Sequence, residues 1–168
     1  MLVMKKDRGK VWLGVAAIVE NSAGEWLLVK KTYGGLKGAW SLPAGFVQPA
    51  ETVTTAAMRE VLEETGIHCE VKGLVGFRSG VILNDISDNM AIFYCKPVDN
   101  DQPFTLQERE IGEACWMAPS EIIHHELSSV MLREMANQHA AQHIHPIIEG
   151  VNPGDVFGYS EYHLFFKK

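Results

Sequence analysis

One stretch of the chain, residues 45–67, constrains the fold more than any other. Residues 52–65 predict an α-helix, because Thr52 suits the N-cap position and Gly66 occupies the C′ position, where a left-handed residue ends a helix. The capping box is incomplete, since Thr55 replaces the Glu or Gln expected three residues after the cap. This helix has the clearest start and stop signals in the sequence.

The predicted helix carries glutamates where helix stability disfavours them. Glu60, Glu63 and Glu64 lie in its last two turns, at the negative end of the helix dipole, which costs each carboxylate a few tenths to about 1 kcal/mol. Glu60 and Glu64 are also a like-charge i,i+4 pair, which adds roughly 0.2–0.5 kcal/mol. A divalent cation would remove both penalties, because this spacing puts the two carboxylates on one face and oxygen ligands suit Mg²⁺ or Mn²⁺.

Two other spacings in this helix are informative. Arg59 and Glu63 form a second i,i+4 pair, about 100° around the axis from the first, so Arg59 can hold Glu63 in place. An apolar i,i+4,i+8 stripe for packing consists of Val53, Ala57 and Val61. Solvated surface acids are the ordinary interpretation of two glutamates four residues apart. Three acids, an arginine, a preceding Gly-x₅-Glu and a closing glycine together argue against it.

The flanking segments predict several strands and a second helical region. Residues 11–19 and 25–30 are apolar runs on either side of an Asn/Ser/Gly turn and predict a β-hairpin. Other short strands are predicted at residues 40–43, 71–77, 81–83, 90–95, 114–117 and 162–166. A helical region is predicted from Pro119 to about Gln142, followed by an irregular stretch at 143–160. Strands with two separated helices predict an α/β sandwich around a mixed sheet.

Length and charge limit the class of protein. The 168 residues suit one domain, and a net charge of −6 argues against a sequence-independent grip on a nucleic acid polymer. We expect a basic N-terminal tail at 1–10, a domain at 11–142 and a C-terminal extension at 143–168 that packs on the same domain. No apolar run is long enough to cross a membrane.

The cysteines and the N-terminus favour a cytoplasmic location. The three cysteines are odd in number and form no C-x-x-C pair, which is typical of reduced thiols rather than a disulfide framework or a zinc site: Cys69, Cys95 and Cys115. The basic N-terminus has no apolar segment and cleavage site of the secretory kind behind it.

The segment from Gly45 to Ile67 resembles a known family motif. Its pattern, Gly45-x₅-Glu51-x₇-Arg59-Glu60-Val61-x-Glu63-Glu64-x-Gly66-Ile67, matches every defined position of the Nudix box, with nine fixed or class-restricted positions in 23 residues. The chain therefore resembles the Nudix (MutT-like) hydrolases over roughly residues 11–140. One departure is Ala44, where many members carry a second glycine. The resemblance implies the Nudix fold, an α/β/α sandwich with a central mixed sheet.

The resemblance also implies a reaction: hydrolysis of a phosphoanhydride bond in a nucleoside diphosphate linked to a group X, with Mg²⁺ or Mn²⁺ as cofactor. It implies that the metal ligands are the Gly45 carbonyl, Glu60 and Glu64, with Glu63 as a further ligand or an orienting group paired with Arg59. Glu51 would be a supporting acid. The catalytic residues would be Arg59, Glu63 and Glu64, and the general base or an extra ligand is sought among Glu63, Glu64, Glu110 and Glu113. The partner is a small nucleotide, and a homodimer stays open.

Several side chains outside the box are candidates for substrate binding. Cations that could hold phosphates are Lys30, Lys31, Lys37 and Arg78, of which Lys30 and Arg78 are preferred; ordinary surface charges are the alternative. Trp40 and Phe46 lie beside the box and are the preferred candidates for stacking a base, although core packing is the favoured account of each. His139 and His143 have i,i+4 spacing, but solvated histidines at a helix C-terminus explain them better than a metal pair.

The substrate is not fixed by the sequence. The proline and tyrosine of the ADP-ribose and dinucleoside-polyphosphate subfamilies are missing from the region after the box, which contains Ile82, Leu83 and Asn84. A nucleoside-triphosphate-like substrate is therefore favoured. An ADP-ribose or nucleotide-sugar pyrophosphatase is the first alternative. Alternatives of another class are a non-catalytic nucleotide sensor with this fold and a protein-binding module with a structural Ca²⁺ site.

Overall fold

The computed structural model describes residues 7–167 of the chain. Its strands are β1 (Val11–Val19), β2 (Trp26–Lys31), β3 (Trp40–Ser41), β4 (Ala44–Phe46), β5 (Cys69–Ile82), β6 (Ile86–Pro97), β7 (Ile111–Met117), β8 (Ile147–Ile148) and β9 (Leu164–Phe165). Its helices are α1 (Val53–Thr65), α2 (Pro119–His124) and α3 (Val130–Asn137), with short 3₁₀ turns at 140–142 and 155–157.

The strands form a mixed sheet, an antiparallel sheet and a small ribbon. The four-stranded sheet has the order β4-β1-β6-β5; β1 and β6 run parallel, and its other pairs are antiparallel. The three-stranded sheet has the order β3-β2-β7 and is antiparallel throughout. The ribbon pairs β8 with β9 near the C-terminus.

Helices cover both faces of the mixed sheet, because successive strand residues point to opposite sides. Ala16 and Ile18 of β1 belong to a core cluster that also contains residues of α2 and α3. The alternating residues Val15, Ala17 and Val19 belong to a second cluster, which contains residues of α1. The predicted α/β/α sandwich with a central mixed sheet is therefore confirmed.

Helix α1 begins and ends as its sequence predicts. The Thr52 Oγ1 atom accepts a hydrogen bond from the Thr55 N–H at 3.3 Å, which caps the first turn. Gly66 has φ 76° and donates its N–H to the Leu62 carbonyl, so it ends the helix in the left-handed conformation that glycine adopts without steric cost. Val61 is fully buried in the core cluster beneath the helix.

The predicted hairpin of residues 11–19 and 25–30 is wrong. The turn itself forms, since the Asn21 N–H donates to the Glu25 carbonyl at 3.0 Å. Beyond it, however, β1 joins the mixed sheet beside β6, whereas β2 joins the other sheet between β3 and β7. Strand β1 lies between β4 and β6, pairs in parallel with the latter, and has both faces buried by the helix layers.

Two other segments differ from their predicted bounds. The strands predicted at 71–77 and 81–83 are one strand, β5, which turns into β6 through Leu83 and Asn84, both with positive φ. The predicted helical region after Pro119 is broken at 125–129, where Ser129 begins α3 by accepting the Leu132 N–H. The break allows the Trp40 N–H to donate to the Leu127 carbonyl at 2.7 Å.

The C-terminal segment contacts the rest of the molecule at several points. His145 exchanges backbone hydrogen bonds with Leu74 of β5, and Phe165 packs against the core cluster on the α1 side. Of the predicted tail at 1–10, residues 1–6 lie outside the described range, as does Lys168, and the domain boundaries stay predictions. Within residues 7–167 the cysteines are free, and no helix has the length and apolarity to cross a membrane.

Candidate active site

The end of α1 packs beside β4, and this contact brings two glutamates of the box to the same stretch of backbone. The Glu64 Oε1 atom accepts a hydrogen bond from the Ala44 N–H at 3.4 Å. The Glu60 carboxylate lies so close to Gly45 that a Cβ atom there would overlap it. Glycine at position 45 is therefore what leaves room for the Glu60 carboxylate against the strand.

Glu64 is buried and incompletely paired. Only 1% of the residue is exposed, and its second oxygen, Oε2, has no hydrogen-bond partner among residues 7–167. Lys31 Nζ lies 3.5 Å from Oε1 and is the nearest cation. Burial raises the pKa of Glu64 to about 7, although Lys31 opposes this shift. Burial also raises the pKa of Glu60, against the effect of Arg59. Burial therefore disfavours the ionised forms of both carboxylates.

Arg59 connects the acids of the box. Its Nε and Nη2 atoms donate to the two oxygens of Glu51 at 3.0 and 2.7 Å. Its Nη1 atom donates to Glu60 at 2.8 Å and to Glu63 at 3.2 Å, and Nη2 also donates to the Phe46 carbonyl at 3.0 Å. The five N–H groups of the guanidinium therefore all have acceptors, which fixes the fork and raises the pKa of Arg59.

Glu63 has a different environment from the other two glutamates. Its side chain is 49% exposed, and its described contact is with Arg59. The sequence left open whether Glu63 is a ligand or an orienting group, and the observed pairing agrees with the second. Glu51, only 11% exposed, accepts from Arg59 and from the Gln48 N–H at 2.7 Å, which fixes the loop before α1.

A cleft of about 690 Å³ opens above these residues. Its wall includes Lys31, Gly45, Phe46, Glu60 and Glu110. Glu110, one of the two loop acids proposed from the sequence, thus faces the same space as the box. The mouth of the cleft includes Arg8, whose guanidinium lies 4.0 Å from the centroid of the Phe46 ring.

A second cavity of about 500 Å³ adjoins the cleft and shares Lys31, Gly45 and Phe46 with it. Its wall is mostly apolar and includes residues of β1, β6, α3, the loop after β2 and the segment from β3 to β4, such as Trp12, Leu36, Leu42, Met90 and Met131. Arg78 and Asp88 also line it. Ser41 borders it too, and its buried Oγ atom has no hydrogen-bond partner within residues 7–167.

Three residues proposed from the sequence lie outside both cavities. Lys30 pairs with Glu113 at 3.5 Å on the antiparallel sheet, so neither residue lines the cleft. Trp40 is 6% exposed in the hydrophobic core, with Lys30 Nζ 4.6 Å from the centroid of its ring. Lys31, rather than Lys30, lines both cavities, and the role of either lysine in substrate binding stays a prediction. The two lysines are consecutive residues of β2 and therefore project to opposite faces of its sheet, while the register shift beside them leaves Gly112 of β7 without a partner.

The chemistry of these residues fits a hard divalent cation. A buried carboxylate with a free oxygen, a second carboxylate one turn away and a close backbone strand are oxygen donors of the kind Mg²⁺ and Mn²⁺ bind. Within residues 7–167 no three His, Cys, Asp or Glu side chains already converge as a complete ligand set. A cation would therefore rely on water and substrate oxygens for its other positions, as Mg²⁺ commonly does. The histidines at 139, 143 and 145 form no such group either.

Comparisons with known proteins give the same family as the motif at residues 45–67. Residues 10–139 match the family model of the NUDIX domain. The 8-oxo-dGDP phosphatase NUDT18 of Homo sapiens is 30% identical over 146 residues, which cover 84% of this chain and 43% of that protein. An ADP-ribose pyrophosphatase of Methanocaldococcus jannaschii is 38% identical over 84 residues, which cover 46% of this chain and 49% of that protein.

A solved structure extends the likeness to the fold. A NUDIX hydrolase from Nitrosomonas europaea superposes with a TM-score of 0.69 at 26% identity, covering 82% of this chain and 93% of that one. The matches to the two relatives above span less than half the length of either protein. The family model, by contrast, covers well over half of this chain. In sequence and in fold, the chain belongs to the Nudix family.

Proposed function

We propose that this protein hydrolyses a phosphoanhydride bond in a nucleoside diphosphate linked to another group, with Mg²⁺ or Mn²⁺ as cofactor. The observation that carries the proposal is Glu64, a buried carboxylate with one oxygen left without a partner among residues 7–167. Burying a carboxylate whose hydrogen bonds and ion pairs are incomplete is costly, and a bound cation offsets that cost. The names of the two relatives above, an 8-oxo-dGDP phosphatase and an ADP-ribose pyrophosphatase, support the same proposal.

Glu60, Glu64 and the Gly45 carbonyl would hold the cation, which when bound neutralises charge on the diphosphate and helps ionise water. Arg59 would keep Glu60 and Glu63 in position through its hydrogen bonds to both. Glu51 would keep Arg59 itself in position by accepting from Nε and Nη2. In this arrangement Arg59 and Glu51 act through the ligands.

The remaining groups of the cleft would act on substrate and water. Lys31 Nζ would pair with a phosphate oxygen, since it lies in the wall beside Gly45. Glu110 would accept the proton of the attacking water as the new P–O bond forms and the P–O bond to the leaving phosphate breaks. Glu113 is left out of this proposal because it pairs with Lys30 outside the cleft.

The two adjoining cavities suggest how such a substrate lies. Its phosphates would occupy the cleft with the carboxylates and Lys31, and its nucleoside the mostly apolar second cavity. The sequence favoured nucleoside triphosphates. The names of the relatives add 8-oxo-dGDP and ADP-ribose as substrates to test.

The test incubates nucleoside di- and triphosphates, 8-oxo-dGDP, ADP-ribose and nucleotide sugars with and without Mg²⁺ and separates the products by chromatography, which detects hydrolysis whether the leaving group is phosphate, pyrophosphate or a sugar phosphate. We expect metal-dependent turnover of at least one compound and its loss in Glu64→Gln. No turnover by the wild-type protein of any compound, together with intact nucleotide binding, would support the sensor instead. Stabilisation by Ca²⁺ without turnover or nucleotide binding would support the structural module.

A further inference from the structure

We propose that the Arg78–Asp88 pair reads the hydrogen-bonding edge of a nucleobase in the second cavity and so determines which nucleotides the protein prefers. This inference rests on the proposed function in one respect: it places the nucleoside of the substrate beside the cleft. It concerns residues outside the box.

The two residues are diagonal neighbours in the β5–β6 hairpin and face the same side. Arg78 is in register with Met90 and Asp88 with Gly80, so both side chains reach the cavity wall together. Arg78 Nη2 donates to Asp88 Oδ2 at 2.8 Å. Arg78 Nη1 lies 4.0 Å from the Met131 sulfur of α3, so the guanidinium is held from two directions.

The pair leaves hydrogen-bonding capacity unused. Asp88 Oδ1 has no hydrogen-bond partner among the described residues, and a carboxylate oxygen accepts readily from an N–H group. Arg78 likewise has N–H groups beyond the one given to Asp88. One acceptor and several donors therefore stand side by side, both partly exposed, with 22% of the Asp88 side chain and 39% of the Arg78 side chain accessible.

Arg78 and Asp88 are charged residues in a cavity wall that is otherwise mostly apolar. Most other side chains of the wall are apolar or aromatic and suit the faces of a planar ring: Trp12, Leu36, Leu42, Phe46, Met90 and Met131. Ligand cavities typically combine such a wall with a few polar groups that fix orientation. Each standard nucleobase presents hydrogen-bond donors and acceptors in its own arrangement, so one free Asp88 oxygen held beside the Arg78 N–H groups complements some bases better than others.

The competing explanation is that the pair only ties β5 to β6. A partly exposed ion pair contributes little to stability, about 0–1 kcal/mol, and these strands are already joined along twelve pairs of residues. A merely structural pair would affect all nucleotides equally when removed. A base-reading pair would alter the ratio between them.

The experiment measures two quantities on the full chain with Asp88→Asn. The first is kcat/KM for the four nucleoside triphosphates, for purine riboside triphosphate, which lacks exocyclic groups, and for ribose 5-triphosphate, which lacks a base. The second is the Kd of the matching nucleoside monophosphates by calorimetry, which needs no turnover. The matched control is Asp85→Asn, since Asp85 also forms an ion pair in this hairpin, with Lys10 at 2.7 Å, but lines neither cavity.

We expect the wild type to prefer one standard base over purine riboside. In Asp88→Asn that preference should fall by about 10- to 100-fold in kcat/KM and in Kd, the scale of one well-placed polar contact to a base. Ribose 5-triphosphate and the Asp85→Asn control should change less than about twofold. An equal change for every compound, or none, would overturn the proposal. A change in the Kd ratio without any turnover would keep it and reject the hydrolase.

Discussion

Lys31 Nζ, in the wall of the cleft, lies 3.5 Å from Oε1 of the buried Glu64, and the lysine only partly compensates the charge of this carboxylate. Lys31 belongs to the strand β2 and Glu64 to the last turn of α1. The lysine does not overcome the cost of burying the carboxylate, because the pKa of Glu64 is still raised to about 7. Ionised Glu64, which could bind a cation, therefore lowers the free energy of unfolding of the metal-free protein.

This cost makes the stability of the metal-free protein depend on pH. Because the pKa of Glu64 rises from its ordinary 4.5 to about 7 on folding, its contribution to stability is complete below pH 4.5 and is lost as pH rises to about 7. The difference amounts to about 3 kcal/mol. Glu60 shifts in the same direction and adds to the trend, whereas Lys31 and Arg59 oppose it.

We therefore expect Glu64→Gln to stabilise the metal-free protein at pH 8 and to leave its stability nearly unchanged at pH 4.5. Urea unfolding in EDTA at both pH values measures this difference. Addition of Mg²⁺ at pH 8 should stabilise the wild type more than the variant. Equal effects of the substitution at the two pH values would show that the charge of Glu64 does not govern the trend.

The helix that carries these acids was predictable because its determinants are local. Thr52 and Gly66 set its ends, and both act within a few residues of themselves. The shared face of Glu60 and Glu64 was predictable for the same reason, since i,i+4 spacing places two side chains on one face of a helix whatever surrounds it. Fold class followed from the family motif, which lies in this same segment.

The parts that could not be predicted depend on distant partners. β1 and β2 enter different sheets because β1 pairs with β6 and β2 with β7, and no residue near the turn determines these pairings. The face on which each lysine of β2 lies also depends on how β2 pairs with β7, where Glu113 is opposite Lys30 and Ile111 is opposite Lys31. Arg78 and Asp88 come together through the register of the β5–β6 hairpin, which the sequence split into separate strands.

Gly45 tests whether the position of the Glu60 carboxylate matters. Gly45→Ala would place a Cβ on the carboxylate, and because that group ends a flexible side chain it would move rather than break the fold. We expect a loss of stability below about 1 kcal/mol but a kcat lower by 10- to 100-fold, as misplaced catalytic groups cause. The control is Gly80→Ala in β5, where a Cβ meets no atom within 4 Å. Retained kcat in Gly45→Ala would separate Glu60 from the chemistry.

Arg59 tests the network that positions the ligands. Arg59→Lys keeps the charge but removes the fork, so at least two of the five hydrogen bonds are lost. We expect a loss of about 1–3 kcal/mol in stability, because each bond to a charged partner contributes on that scale. Since second-layer residues orient metal ligands, we also expect a 10- to 100-fold weaker apparent affinity for Mg²⁺ in activity assays.

The control for this substitution is Arg133→Lys on α3. Arg133 also donates to backbone carbonyls, those of His125 and Ser128, but it lines neither cavity. The control should lose stability without any change in Mg²⁺ affinity. If Arg59→Lys behaved in the same way, Arg59 would stabilise the fold only and would not position the ligands.

Glu110 and Glu113 were equivalent in the sequence, and their different positions now give opposite expectations. Glu110 lines the cleft with Glu60 and Lys31, whereas Glu113 is 63% exposed and pairs with Lys30. If Glu110 accepts the proton of water, Glu110→Gln should lower kcat by about 10²- to 10⁴-fold with little change in KM. Glu113→Gln should have a much smaller effect. The reverse order would move the general base to the antiparallel sheet, and equal, small effects would leave the role of base to a glutamate of α1.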